Sequence, residues 1–197
     1  MDSKEIQRQR MREYFINAAK EIILEEGVKN LTARKVGNKA GYSYATIYNY
    51  FSDLNCLSIH CVLDFLEDCY KHVMNLRNVE DDLRDQVIDC GTEYFKFFVK
   101  NPQMFQLIFL ETLEGLPQND EERPVVPSIA LLLKNLLEEC ALKGYIKNEN
   151  IDLLAELITS TIHGKLLFYV KGRNTENVDN IIMSIRNEMR YLLNIER

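Results

Sequence analysis

Near residue 50, Ala45, Tyr48, Asn49 and Ser52 stand at i, i+3, i+4 and i+7, interleaved with Ile47 and Phe51, themselves four apart. On a helix this spacing turns the first set to one side and buries the second. A row that is small or polar can approach the edges of nucleic-acid bases, where a bulky apolar row would be blocked. The Asn49 amide suits the adenine edge, and the Ala45 methyl suits the thymine methyl.

Other chemistries are less well supplied. Cys56, His60, Asp64, Asp68 and His72 recur every four residues, so His60 with Asp64, or Asp68 with His72, could in principle share a metal ion. The same stretch carries Glu67, Lys71 and Asn75, which makes it read as a solvated helix face, and no metal site is expected. The sequence holds no G-x-S-x-G, H-E-x-x-H or P-loop pattern, so neither catalysis nor a cofactor is expected. Five cysteines without a C-x-x-C pair read as free buried thiols. His163, on an apolar segment, reads first as a core histidine.

The chain has 197 residues, of which 46% are hydrophobic and 27% charged, the composition of a globular protein with a real core. Its apolar runs, such as 129–133, are short, so no membrane span is expected. The first residues mix acids and bases without an apolar run behind them, unlike a signal peptide, and a cytosolic location is expected. The net charge of -6 is uneven: residues 1–51 carry nine Lys or Arg against six acids, and the remainder carries the whole acidic excess. A basic head on an acidic body suggests that one end meets a polyanion.

Helical periodicity runs through the whole chain, and no alternating strand pattern of useful length occurs. Met11, Tyr14, Phe15, Ala18, Ala19, Ile22 and Ile23 predict a first helix stopped by Gly27. Thr32 opens a second, short helix, with Leu31 placed to staple onto Val36 and Gly41 ending it. The device repeats with Tyr42, N-cap Ser43 and Ile47, predicting a third helix to about Phe51. Further helices are predicted over 53–78, 81–100, 102–114, 128–143, 151–171 and from Thr175 onward, with a proline-rich exposed and mobile loop over 115–127. The expected fold is all-α, with about nine helices.

Two short helices joined by a turn that begins with glycine form a helix-turn-helix, whose second helix enters the DNA major groove. The run Leu31-Thr32-Ala33-Arg34-Lys35-Val36, then Ala40-Gly41-Tyr42-Ser43, then Thr46-Ile47-Tyr48-Asn49-Tyr50-Phe51 resembles the TetR family of bacterial regulators. The resemblance covers roughly the first third of the chain, and the later helix count is similar as well. It implies a helix-turn-helix domain over 1–52, with its motif at 32–51, and a helical effector-binding and dimerisation domain over 53–197. It further implies a homodimer on a double-stranded DNA operator of two half-sites, and a repressor released by a small-molecule effector.

By position, the resemblance places Arg34 and Lys35 on helix 2 near DNA, and Tyr44, Ala45, Thr46, Tyr48, Asn49 and Tyr50 on the recognition helix. Tyr44, Ala45 and Asn49 are candidates for base contact. Tyr48 and Tyr50 are candidates for phosphate, as are the helix N-termini at Thr32 and Ser43. The segment Ser52-Asp53-Leu54-Asn55 departs from the lysines that many members carry there, so Arg8, Arg10, Arg12 and Lys35 are expected to supply the backbone charge. That departure also keeps open a second reading, a helical interaction protein of the same fold without DNA binding. Phe65, Tyr94, Phe98, Met104, Phe105, Phe109 and His163 are expected around an effector pocket, whose lining suits an apolar or aromatic molecule. Helices 8 and 9, with Ser160, Thr161, Gly164, Ile182, Ile185 and Met189, are expected to form the dimer interface.

Overall fold

The computed structural model describes residues 3–114, 128–174 and 176–195. Among them lie nine α-helices and no strand: α1 (Ser3–Glu26), α2 (Ala33–Ala40), α3 (Tyr44–Ile47), α4 (Leu54–Leu76), α5 (Leu83–Lys100), α6 (Pro102–Phe105), α7 (Ile129–Leu142), α8 (Ile151–Val170) and α9 (Val178–Leu192). The loop expected over 115–127 lies outside the described residues, as does Thr175; the N-cap of α9 is Asn177, whose side chain accepts from the Asn180 N–H.

The helices divide into two compact units, one built from residues 3–66 with 101–114, the other from 67–100 with 128–195. In the first, the buried face of α1 is Phe15, Ile16, Ala18, Ala19, Ile22 and Ile23. Tyr14, expected inward, is 61% exposed, because Ile16 takes the inward place beside Phe15. The Phe15 ring centroid lies 5.6 Å from those of Tyr42 and Tyr50 and 6.5 Å from that of Phe51. Burying one such phenylalanine contributes about 1.5–3 kcal/mol, so this cluster fixes α1 against the helix-turn-helix.

The helix expected over 102–114 is much shorter. After α6 the chain widens into a π turn over Gln106–Leu110, closed by the Glu111 N–H on the Gln106 carbonyl at 3.1 Å. Glu111 is already extended. Two side chains hold this geometry: Gln106 donates to the Glu111 carboxylate at 2.9 Å, and Asn55 bonds both the N–H and the carbonyl of Glu114. Asn55 thus acts as a short piece of backbone, which no helical pattern could reveal.

In the second unit, α5 packs against α7, α8 and α9. Its inward residues include Val87, Ile88, Cys90, Gly91, Phe95 and Phe98. By length and composition alone, residues 148–170, which are α8 with the turn before it, could cross a membrane, although no single apolar run within them is long. Its Ile151, Leu154, Ile158, Ile162 and Leu166 are buried within the unit, while Leu153, Leu157 and Phe168 are exposed.

Candidate nucleic-acid interface

Thr32 has extended backbone and accepts the Lys35 N–H on its hydroxyl at 3.2 Å, satisfying one of the free donors that open α2. Gly41, at φ 77°, ends α2 in the left-handed conformation that glycine adopts without strain. The turn closes with the Tyr42 N–H on the Gly37 carbonyl at 2.9 Å. Ser43 precedes α3 with extended backbone, yet its hydroxyl bonds that of Thr46 at 2.9 Å instead of capping a backbone N–H.

The regular part of α3 ends at Ile47, earlier than the Phe51 expected from its pattern. Residues 48–51 continue as tighter turns, with the Asn49 N–H on the Thr46 carbonyl and the Tyr50 N–H on the Ile47 carbonyl. The Ile47 carbonyl accepts both the Tyr50 and the Phe51 N–H, the shared geometry common at helix ends, and the Tyr50 carbonyl beyond it accepts from the Arg12 guanidinium at 2.5 Å. The facing pattern nevertheless matches the spacing: Ile47 and Phe51 are buried, while Tyr44, Ala45, Tyr48, Asn49 and Ser52 are exposed. Thr46 and Tyr50 are half-buried. Tyr44 and Tyr48 are 59% and 49% exposed and flank the small Ala45.

The basic head is partly neutralised by its own acids. Lys35 pairs with Glu26 at 2.5 Å, and Lys39 with Glu25 at 2.7 Å and Glu21 at 3.1 Å, which raises the Lys39 pKa, Glu25 contributing most. Arg12, expected at phosphate, donates instead to the Tyr50 carbonyl and to His60, with its guanidinium 4.6 Å from the Phe51 ring centroid. Arg8, Arg10 and Arg34 are exposed, and none of them forms an ion pair among the described residues. At the start of α4, Asp53 accepts the Cys56 N–H at 2.7 Å and Asn55 holds Glu114. The positions where lysines were missed are thus occupied by internal ties.

On α4, His60 is taken by Arg12 and Asp64 by Lys20 at 2.9 Å. No group of three or more metal-ligating side chains occurs among the described residues. Burial pushes the thiols of Cys61, Cys69 and Cys90 up to about 12, so they are protonated and unreactive at neutral pH.

The expected effector residues divide between the units. Phe65, Met104 and Phe105 are buried in the first, where Phe105 and Phe109 lie 5.0 Å apart and Phe109 is 38% exposed. Tyr94, Phe98 and His163 gather in the second: the Tyr94 ring stacks on His163 and meets Phe98 edge-on at 4.9 Å. Of the expected interface residues, Ser160 is exposed and Thr161, Gly164 and Ile182 are half-buried. Ile185 and Met189 are instead fully buried in their own unit, Met189 reaching to within 3.0 Å of where a side chain on Gly91 would begin. Their apolar stripe packs inward, and periodicity alone does not distinguish that from an outward one.

The α8 and α9 face bears two grooves, of about 400 and 500 Å³. Thr161 and Glu188 line both, with Leu157 and Tyr191 in the first and Gly164 and Phe168 in the second. Glu188 Oε1 accepts from Ser184 at 2.9 Å and pairs with Lys165 at 3.0 Å, whereas its buried Oε2 has no hydrogen-bond partner among the described residues.

Residues 15–53 match the family model described as bacterial regulatory proteins, tetR family. A search of curated protein sequences finds no match. Among solved structures, the fatty acid degradation regulator FadR from Bacillus halodurans aligns with a TM-score of 0.73 at 21% identity, over 90% of this chain and 93% of that one. A TetR family transcription regulator from Marinobacter aquaeolei VT8 aligns at 0.65 and 20%, over 94% and 97%. RolR in complex with resorcinol aligns at 0.69 and 16%, over 94% and 88%. Residues 15–53, which hold the capped helix-turn-helix, thus match the tetR-family model, and the chain shares its fold along most of its length with these regulators.

Proposed function

We propose that the protein is a transcriptional repressor that binds a two-half-site operator as a homodimer and releases it when a small apolar or aromatic effector binds. The observation that carries this reading is the exposed row Tyr44, Ala45, Tyr48 and Asn49 over buried Ile47 and Phe51. Asn49 and Ala45 read base edges, with Tyr44 beside them. Tyr48, Tyr50, Thr46 and the N-termini at Thr32 and Ser43 face phosphates, with Arg34, Arg8 and Arg10 supplying charge; Lys35 would first leave Glu26.

Residues 1–52 read DNA in this proposal, and residues 53–197 bind effector and dimerise. The dimer is supported by the α8 and α9 face, where Leu157, Phe168 and Tyr191 are exposed beside the small residues Ser160, Thr161 and Gly164. Two-fold symmetry then sets the recognition helices about one DNA turn apart. The effector class is supported by the aromatic density from Tyr94 to Phe109, and by two neighbours of this fold, one named for fatty acid degradation and one bound to resorcinol. Helix α4 carries the coupling, since it begins beside the recognition segment and runs on into the second unit.

Selection from a randomised duplex pool by the full-length chain tests the reading. Enrichment of a two-fold symmetric sequence is expected; a pool that stays random after repeated rounds overturns it.

A further inference from the structure

Arg12 joins three elements through one guanidinium. From α1 it donates Nη1 to the Tyr50 carbonyl at 2.5 Å and Nη2 to His60 Nε2 of α4 at 2.6 Å, and it stacks over Phe51. Tyr50 directly follows Asn49, so this contact sets the end of the DNA-reading segment. A guanidinium has donors only, so His60 must present a lone pair on Nε2, which it has only as neutral imidazole with its proton on Nδ1.

We propose that Arg12 is a positioning residue for DNA recognition, and that it holds the recognition segment only while His60 is neutral, so that acid loosens DNA binding. This rests on the DNA-binding reading above.

The charges around His60 support the assignment. Burial holds the His60 pKa below its ordinary value, and the Arg12 cation lowers it further. Asp64, one turn further along α4, pulls the other way but is paired with Lys20 of α1, which itself lies over the Phe65 ring. Protonation would end the Arg12 bond and set two cations face to face, while the Phe51 ring lies edge-on to the imidazole at 5.6 Å. The sign is informative. Added positive charge ordinarily strengthens attraction to phosphate, so a loss of affinity on acidification runs against the general electrostatic trend.

The test uses the full-length chain and a duplex that the wild type has enriched from a randomised pool at about pH 7.8, with affinity followed down to about pH 5.5 by fluorescence anisotropy. Wild type should lose about tenfold in affinity as pH falls below about 6.5, the worth of one charge-assisted hydrogen bond. His60→Gln, which keeps an acceptor but cannot titrate, should remove that loss. Arg12→Lys, which cannot span both acceptors, should bind about tenfold more weakly than wild type at the upper pH. NMR titration of the His60 ring should show its pKa rising toward the ordinary value in Arg12→Ala. Equal pH profiles in wild type and His60→Gln, or a His60 titration indifferent to Arg12, would overturn the proposal while leaving DNA binding standing. A pool that enriches no duplex removes the DNA reading and the proposal with it, and the NMR titration then shows whether the junction exists without that role.

Discussion

Gly37 of α2 meets the backbone of Tyr44 with no room for a side chain: a Cβ there would lie 3.0 Å from both the Cα and the N of Tyr44, and 2.9 Å from the Tyr42 carbonyl oxygen. The two helices of the motif approach this closely because the residue is glycine. In an open helix, replacing glycine by alanine stabilises by about 1 kcal/mol. Here the obstructing atoms are backbone, so Gly37→Ala should destabilise by about 1–3 kcal/mol and weaken DNA binding with it. Gly91 is the informative contrast, since the nearest atoms that a Cβ there would meet are the side-chain ends of Ile162 and Met189, which can move. Gly91→Ala should stay within about 1 kcal/mol of wild type. Urea denaturation of both variants checks the difference, and equal effects would contradict it.

The two caps of the motif should respond unequally. Thr32→Ala removes a hydroxyl that accepts a backbone N–H and should cost about 1 kcal/mol. Ser43→Ala removes only a bond to the Thr46 hydroxyl and should cost clearly less, by the same urea midpoints.

In the second unit, Tyr94 Oη lies 2.7 Å from His163 Nε2. Burial raises the phenol pKa and lowers that of the imidazole, so Tyr94 donates and neutral His163 accepts. A histidine whose pKa is depressed on folding contributes stability that is present above about 6.5 and lost as pH falls through the folded value. His163→Gln keeps an acceptor and does not titrate, so its stability should fall less than that of wild type between about pH 7.5 and 5.5. Urea midpoints at the two pH values check this, and parallel losses would contradict it.

Thr161 lines both grooves of the α8 and α9 face, so a long charged side chain there should block a second copy. Sedimentation velocity should find the wild type as a dimer at micromolar concentration and Thr161→Arg as a monomer with unchanged helix content. A monomeric wild type would sink the dimer proposal.

The parts of the site that depend on local spacing were legible in the sequence. The cap at Thr32, the left-handed turn at Gly41, and the division of Ile47 and Phe51 from Ala45, Tyr48 and Asn49 all follow from residue type and periodicity. The parts that depend on contacts distant in sequence were not. Arg12 looks like one more cation for phosphate until the fold brings Tyr50 and His60 to it. Asn55 looks like a surface residue until Glu114 arrives. Gly37 did carry a signal, since a glycine inside a helical pattern is costly unless packing requires it. For Ile185 and Met189 the stripe was right and its partner wrong, because a helix packed on its own unit shows the same period as one packed on a second copy.

The most direct measurement is a titration of the wild type and Asn49→Ala against the duplex enriched from the randomised pool and against its scrambled form, at two salt concentrations. Tight binding to the enriched duplex alone is predicted, steeply weakened by salt, with Asn49→Ala losing about 1–3 kcal/mol on that duplex and little on the scrambled one. Weak and equal binding of both duplexes, indifferent to Asn49, would contradict the central claim that this exposed row reads DNA.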